Sequence, residues 1–347
     1  MKLSKLKGGI QMSDVTIKDI AVAAGVSHPT VSKALNNAPG VSEETRKRIL
    51  KLAAQMNYIP NMAAKRMVKK GNRSLGFIWP KADGIFFYHL ANVLQEEANT
   101  RGINLVVSMS DPVTALRTFH EHFIDFVLCW FFPDWLPSLD FLKEQERYPG
   151  QIAIVGGGAL ERAHQISIDR KQSIYNAVAY LADLGHRKIA FIGEETDKSG
   201  GYLQGVLDKK LDFEPSYFIK VETAYYAGVL ANRNELSEKF AALWSSPERP
   251  TALILDSQDN SFGFINILRE WNISIPRDIS VISYDDIPEM SVYEVPLTTC
   301  GPSIRVIVDE VMDLYETQMD VNASHKKRVR REIIPELIIR ESTRQIT

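Results

Sequence analysis

Apolar positions follow two different rhythms along the 347 residues. Between residues 16 and 56 they recur every three or four positions, as in Ile17, Ile20, Ala21 and Ala24 and again in Ile49, Leu52, Ala53 and Met56. That spacing puts each set on one face of a short helix. From Ser74 onward, short apolar runs predict strands at 75–79, 103–109, 125–131, 152–155, 188–193, 218–221, 252–255 and 279–283. Amphipathic stretches at 87–99, 173–184, 260–271 and 304–318 predict helices among them. Apolar strands alternating with helices form parallel sheets covered on both faces, an α/β architecture.

Polar punctuation sharpens the first region. Thr16 can cap a helix that Gly25 ends by taking a positive φ. Ser27 is placed to cap a second helix, with Pro29 in its first turn, where a missing N–H costs nothing. Residues 36–40, Asn-Asn-Ala-Pro-Gly, are turn chemistry, and Ser42 followed by Glu43 and Glu44 opens a third helix. Three such helices enclose a small core. Two helices joined by so tight a turn can lay the second one in a DNA major groove; a helical hairpin within a core would share the local pattern. Pro60 stops the third helix. Residues 61–68 could begin another, too short to be stable alone.

The net charge of −2 hides an asymmetry: residues 1–73 hold 14 Lys and Arg against 4 Asp and Glu, and the remainder 27 against 39. A basic front end on an acidic body suits a phosphate-binding module attached to a separate domain. Cys129 and Cys300 lie in or beside apolar segments and read as buried free thiols, not as a disulfide framework or a zinc site. No run reaches the ~18 apolar residues of a membrane span, and the N-terminus lacks an apolar signal core, so a cytoplasmic protein without a membrane partner is expected. An enzyme reading finds no site. Gly156-Gly157-Gly158 has neither G-x-G-x-x-G nor Walker spacing, His120-Glu121-His122 lacks the H-E-x-x-H spacing, and no G-x-S-x-G elbow occurs. No catalytic residue, cofactor or metal is expected.

The stretches Thr16-Ile17-Lys18-Asp19-Ile20-Ala21, Gly25-Val26-Ser27, Thr30-Val31-Ser32, Leu35-Asn36, Val41-Ser42-Glu43-Glu44-Thr45-Arg46 and Tyr58-Ile59-Pro60-Asn61 closely resemble the DNA-binding headpiece of the lactose-repressor (LacI/GalR) family of bacterial transcription regulators. The likeness continues in residues 184–193, 279–286, 296–299 and 335–343. It implies a three-helix helix-turn-helix domain over 14–60, a hinge helix or linker over 61–73, and a two-lobed periplasmic-binding-protein-like body with Rossmann-like parallel sheets over 74–347. Lobe one would take about 74–172 and 302–332, lobe two about 173–301 and 333–347, with crossings near 172, 301 and 332. The DNA-binding residues implied are Thr16, Ser27, His28, Pro29, Thr30, Ser32, Lys33 and Asn36, with Asn61, Ala64 and Met67 in the hinge helix. Met67 falls where the family wedges an apolar side chain between base steps. Lys69, Lys70 and Arg73 would reach phosphates, although a solvated charge run would look identical. The partners implied are a near-palindromic double-stranded operator, a second copy of the chain and a small-molecule effector. Residues 1–13 match nothing in the family, which makes Met12 a candidate start.

The effector set departs from the family's pattern. Phe86 and Phe87 match its paired phenylalanines after the first strand. The family's effector arginine lies three residues before a glycine; taken as Gly205, this glycine places Tyr202 there. Its cleft aspartate, five residues before Gly263, is Gln258, and a polar residue after Leu297-Thr298-Thr299 is Pro302. Asp285 and Asp286 end a strand at the sheet edge where ligands bind, and a structural role fits them as well. Trp130, Phe131 and Trp135 also end a strand, where rings can stack on a flat ligand or pack into the core. Phe86, Phe87, Trp130, Tyr202, Gln258 and Asp285 are thus the candidate effector residues. Their chemistry predicts a larger or flatter partner than a simple sugar; a protein co-regulator, or no effector, fits the same departures. The resulting expectation is a dimeric repressor controlled by a cleft ligand. Two other readings stay open: an effector-independent regulator, and a ligand-binding or enzymatic α/β protein with a DNA-binding appendage.

Overall fold

Local chemistry fixes the first three helices in the computed structural model, which describes residues 15–35, 38–56, 73–79, 84–221, 233–320 and 327–346. Helix α1 (Ile17–Ala24) opens at Thr16, whose N–H and hydroxyl both donate to the Asp19 carboxylate, at 2.8 and 2.6 Å. It closes at Gly25, whose φ of 62° is left-handed; the Val26 N–H then returns to the Ala21 carbonyl. In α2 (His28–Leu35), the Ser27 hydroxyl accepts the Thr30 N–H, and in α3 (Glu43–Gln55) Ser42 accepts the Thr45 N–H. Ile20, Ala21, Ala24, Val31, Ala34, Ile49 and Ala53 are the buried core of these helices. Arg46 donates to the carbonyls of Ala34 and Ala38, and Arg48 to that of Ala24, so two of the basic residues satisfy helix ends. The chain divides into residues 1–71 and 72–347. Asn36, Asn61, Ala64 and Met67, and the helix expected at 61–68, lie outside the described residues.

The second unit holds two all-parallel sheets. One comprises β1 (Ser74–Ile78), β2 (Asn104–Ser108), β3 (Phe126–Trp130), β4 (Gln151–Gly156), β5 (His164–Ile168) and β11 (Arg330–Ile333), in the order β11-β5-β4-β3-β1-β2. The other comprises β6 (Ile189–Gly193), β7 (Phe218–Lys220), β8 (Ala252–Leu255), β9 (Ser280–Ser283) and β10 (Thr298–Thr299), in the order β10-β9-β8-β6-β7. The helices are α4 (Ile85–Thr100), α5 (Pro112–Glu121), α6 (Leu139–Arg147), α7 (Arg170–Asp183), α8 (Asp197–Asp208), α9 (Arg233–Trp244), α10 (Gln258–Glu270), α11 (Pro288–Val292) and α12 (Ile304–Met319). Strands β1, β3, β6, β8 and β9 are buried along their whole length, as strands covered on both faces must be.

Three strands escape the apolar-run reading. β5 alternates buried and half-buried residues, β11 carries Arg330, Arg331 and Glu332, and β10 has two residues. Through β5 and β11 the first sheet gains two strands beyond β4. The chain leaves this sheet after β5, returns to it with α12, and leaves again after β11. Ile307, Val308, Val311 and Met312 of α12 share a buried cluster with Leu75 and Phe77 of β1. Arg73, expected among the phosphate-reaching cations, instead forms a 2.5 Å ion pair with Glu316 of α12 and donates to the Arg101 carbonyl.

Candidate nucleic-acid interface and effector cleft

On α2 the polar residues fall on one side. His28, Pro29 and Lys33 are exposed and Ser32 is half-buried, while Val31 and Ala34 are buried on the opposite side. Helical geometry places positions 28, 29, 32 and 33 on a single face, so one short helix presents an imidazole, a pyrrolidine, a hydroxyl and an ammonium together. Thr16 is exposed at the N-terminus of α1. Ser27 and Thr30 bond each other through their hydroxyls at 2.8 Å, which ties both to the start of α2.

In the second unit, the carboxyl ends of β6, β8 and β9 gather a polar cluster. The Asp256 carboxylate, directly after β8, accepts the Glu194 N–H at 2.8 Å and the Asn260 side-chain amide at 2.7 Å. Lys198, in the first turn of α8, donates to the Asp256 carbonyl at 2.5 Å and lies 4.0 Å from the centre of the Tyr284 ring. Asp285 is half-buried and accepts the Gln258 N–H at the start of α10. Burial raises its pKa, and the nearby Lys198 charge opposes that rise. Arg170 donates to the Gly156 carbonyl at the end of β4 and stands 3.9 Å from Asp197. Within this cluster the Asp197 Oδ1, the Gln258 Oε1 and the Tyr284 hydroxyl are buried without hydrogen-bond partners. Buried orphans of this kind are rare and costly.

The first sheet ends in rings instead. Trp130 packs edge-on against Phe86 and Phe87 at 5.7 and 5.3 Å, and these two meet each other at 5.4 Å. Phe131 stacks flat on Trp135 at 3.5 Å, with Phe141 edge-on to both. These rings serve as partners for one another. The two lobes touch along α4: Ile265, Ile287, Met290 and Leu297 belong to the same buried cluster as Phe86, Phe87 and Leu90. A Cβ at Gly84 would collide with the Gln258 side-chain amide, so that side chain spans the two lobes.

The structure therefore brings Gln258 and Asp285 to the second sheet's edge and Phe86, Phe87 and Trp130 to the first's. Tyr202 requires a correction. It is fully buried, stacks on Phe191, and donates its hydroxyl to the Ile189 carbonyl at 2.8 Å. Ile189 begins β6, at the end of the strand opposite the cluster. Burial raises the Tyr202 pKa, as expected for a core phenol. A second glycine fits the same spacing. Gly201, where a Cβ would overlap the Lys171 carbonyl oxygen of α7, is an equally constrained close approach, and three residues before it is Lys198. Asp286 is structural: its carboxylate pairs with Arg340 at 2.7 Å and accepts the Thr299 hydroxyl. Pro302 is buried just before α12. Sequence reasoning missed Arg170, Asp197, Lys198 and Asp256. The signal was available, because acidic and basic residues follow immediately on the apolar runs of β6 and β8.

A helix-turn-helix module followed by a two-lobed body of parallel sheets is the architecture of ligand-responsive transcription regulators. Residues 16–61 match the lacI family of bacterial regulatory proteins, and residues 178–343 match a periplasmic binding protein-like domain. The HTH-type transcriptional repressor PurR of Haemophilus influenzae is 28% identical over 345 residues, 95% of this chain and 99% of that one. The catabolite control protein A of Priestia megaterium is 27% identical over 288 residues, 79% of this chain and 83% of that one. The fold matches a lac repressor dimer bound to operator and the anti-inducer ONPF, with a TM-score of 0.71 at 22% identity over 96% of this chain and 100% of that one. The first domain is of the lacI family, and the chain is a DNA-binding transcriptional regulator. No helix among the described residues is long and apolar enough to cross a membrane.

Proposed function

We propose that the chain is a repressor that binds a near-palindromic operator as a homodimer and releases or grips it when a small molecule enters the cleft between the lobes. The observation that carries the effector half is the set of buried, unpartnered polar atoms on Asp197, Gln258 and Tyr284, gathered around Lys198 and Arg170 at the second sheet's edge. Partners for these atoms are what an incoming ligand supplies, and its differential contact with two lobe arrangements couples it to DNA. Phe86, Phe87 and Trp130 form the apolar wall opposite, and Asp285 supports the polar one. Lys198 takes the role assigned in sequence to Tyr202. PurR and the Bacillus subtilis relative named a probable repressor, ExuR, support repression, and the lac repressor dimer on operator supports the assembly.

The DNA half rests on the exposed face of α2. Lys33 can donate to guanine O6 or N7 and His28 to a base edge or phosphate, while Pro29 can only exclude or pack against a thymine methyl. The test is affinity for a promoter fragment, measured with the metabolites handled by the neighbouring genes added one at a time. One of them should shift the affinity at least several-fold, and Lys198→Met should abolish that shift while unliganded binding stays unchanged. Lys33→Ala should cost about 1–3 kcal/mol on the specific site and much less on random DNA. Equal loss on both DNAs would reduce Lys33 to a phosphate contact, and a response that survives Lys198→Met would remove the cleft assignment.

A further inference from the structure

A close polar contact crosses from helix to helix between the lobes beside this cleft. His89, on the second turn of α4, places Nε2 at 2.9 and 3.0 Å from the two carboxylate oxygens of Glu289 in α11. Most other ion pairs in the second unit stay within one lobe, as Arg73 with Glu316, Arg305 with Glu97, Arg331 with Glu310, and Arg340 with Asp286; Arg170 and Asp197, 3.9 Å apart at the crossing, are the looser exception. His89–Glu289 is the shorter of these two lobe-to-lobe pairs, and both carboxylate oxygens take part in it. A carboxylate only accepts, so Nε2 carries the proton and donates to both oxygens, a charge-assisted bond. The side chains are 18% and 33% exposed, which leaves the pair only partly screened by water.

Its position gives the contact a lever. His89 lies two and three residues after the cleft phenylalanines Phe87 and Phe86, and Glu289 lies four residues after Asp285. One helix therefore carries both the apolar wall and half of the contact, and one short segment carries both the Asp285 carboxylate and the other half. Beneath the pair, Met290 and Ile287 are buried against the α4 side chains. Farther along α4, Glu97 takes Arg101 and Arg305, and Glu316 of α12 takes Arg73. Tyr88 packs its ring edge against His89 at 5.4 Å, and Asp259 lies beside Gly84, just before α4.

We propose that His89 and Glu289 form a latch that holds the two lobes in the closed arrangement and sets how far a cleft ligand must work to change it. This rests on the cleft reading for its regulatory meaning, while the latch itself needs no ligand to be seen. Apolar seams tolerate sliding, whereas a hydrogen bond to both oxygens of one carboxylate fixes distance and angle. Removing it should release the lobes without unfolding either, because each keeps its own sheet and core.

The experiment uses the full-length chain with spin labels on cysteines introduced at exposed positions, Glu121→Cys in lobe one and Asp208→Cys in lobe two. Cys129 and Cys300 are buried and stay unlabelled. Electron–electron double resonance then reads the interlobe distance in unliganded protein. Glu289→Gln and His89→Ala should each raise the ratio of open to closed molecules about tenfold, as loss of a hydrogen bond to a charged group allows. The double variant should shift no further than either single one, since both remove the same contact. Unchanged distance distributions in both single variants, or additive shifts in the double, would overturn the latch. Distributions that shift as expected in a protein whose DNA affinity no metabolite alters would uphold the latch and overturn the effector reading instead.

Discussion

The carboxyl edges of the two sheets are built of opposite materials. The first edge is aromatic: Phe86, Phe87 and Trp130 pack edge to face, and Phe131 lies flat on Trp135. Every ring there has a ring for a partner. The second edge is ionic and amide-rich, and several of its atoms lack partners within the chain. Strand-end geometry is shared, so position alone does not make a ligand site. What separates the edges is whether the groups satisfy one another. Rings satisfied by rings contribute stability, whereas polar groups left unpaired cost stability until something binds them. The first edge should therefore behave as core when altered, and the second as a recognition surface resting on a few structural ion pairs.

Substitutions can break this contrast. The largest effect is expected on the aromatic edge: Phe87→Ala removes a buried ring and should cost about 3–5 kcal/mol in urea unfolding. A loss under about 1 kcal/mol would mean that the rings are a surface awaiting a ligand and not a core. On the ionic edge, Arg340→Ala should cost about 3 kcal/mol, because Asp286 would stay largely buried without its guanidinium and the Leu297 carbonyl would lose a donor. The neighbouring cluster should respond differently. Tyr202→Phe should cost about 1 kcal/mol, the worth of one buried hydroxyl bond to Ile189, and leave any effector response intact. Lys198→Met should cost less stability than that and remove the response. The reverse pattern, with the response lost in Tyr202→Phe and kept in Lys198→Met, would restore the phenol to the cleft.

Legibility followed the same divide between satisfied and unsatisfied groups. The helices and the fully buried strands were readable because burial on both faces demands unbroken apolar runs, as in 252–255 and 189–193. β5 and β11 were not, since strands toward a sheet's edge need bury only alternate side chains and tolerate Gln165, Ser167 and Arg330. In the headpiece, Thr16, Gly25, Ser27 and Ser42 act through bonds to residues two to four positions away, so spacing alone revealed them. The cleft is assembled from residues as distant as Arg170, Lys198, Asp256 and Asp285. Its register depends on which glycine meets α7. Gly201 and Gly205 lie one helical turn apart and both press on that helix. A one-turn slip moves the chosen side chain from the cluster to the far end of β6, and only three-dimensional packing resolves it.

The smallest expected effect compares the two lobes through their buried histidines. His164, in the first sheet, stacks on Phe126, pairs with Gln151 through Nε2 and accepts the Val329 N–H on Nδ1. His186, beside the second sheet, places Nδ1 against the Thr251 hydroxyl and Nε2 against the Arg344 carbonyl. Burial lowers both pKa values; the Arg328 charge adds to the effect on His164, while the bond to the Arg344 carbonyl opposes it on His186. A lowered value means that the folded state keeps the neutral ring, while the unfolded chain takes a proton near the ordinary value of 6.5. Stability is then fully present above about pH 6.5 and is lost as pH falls from there through the folded-state pKa values. The two should not contribute equally. Protonated His186 can still donate to both of its oxygen partners, whereas protonated His164 places a new N–H against the Val329 N–H and loses an acceptor outright. His164→Gln should therefore flatten the decline in urea midpoint between about pH 7 and pH 5 more than His186→Gln does. If the acid decline survives His164→Gln in full, the first lobe's histidine is not its source, and carboxylates that protonate lower on the scale must be.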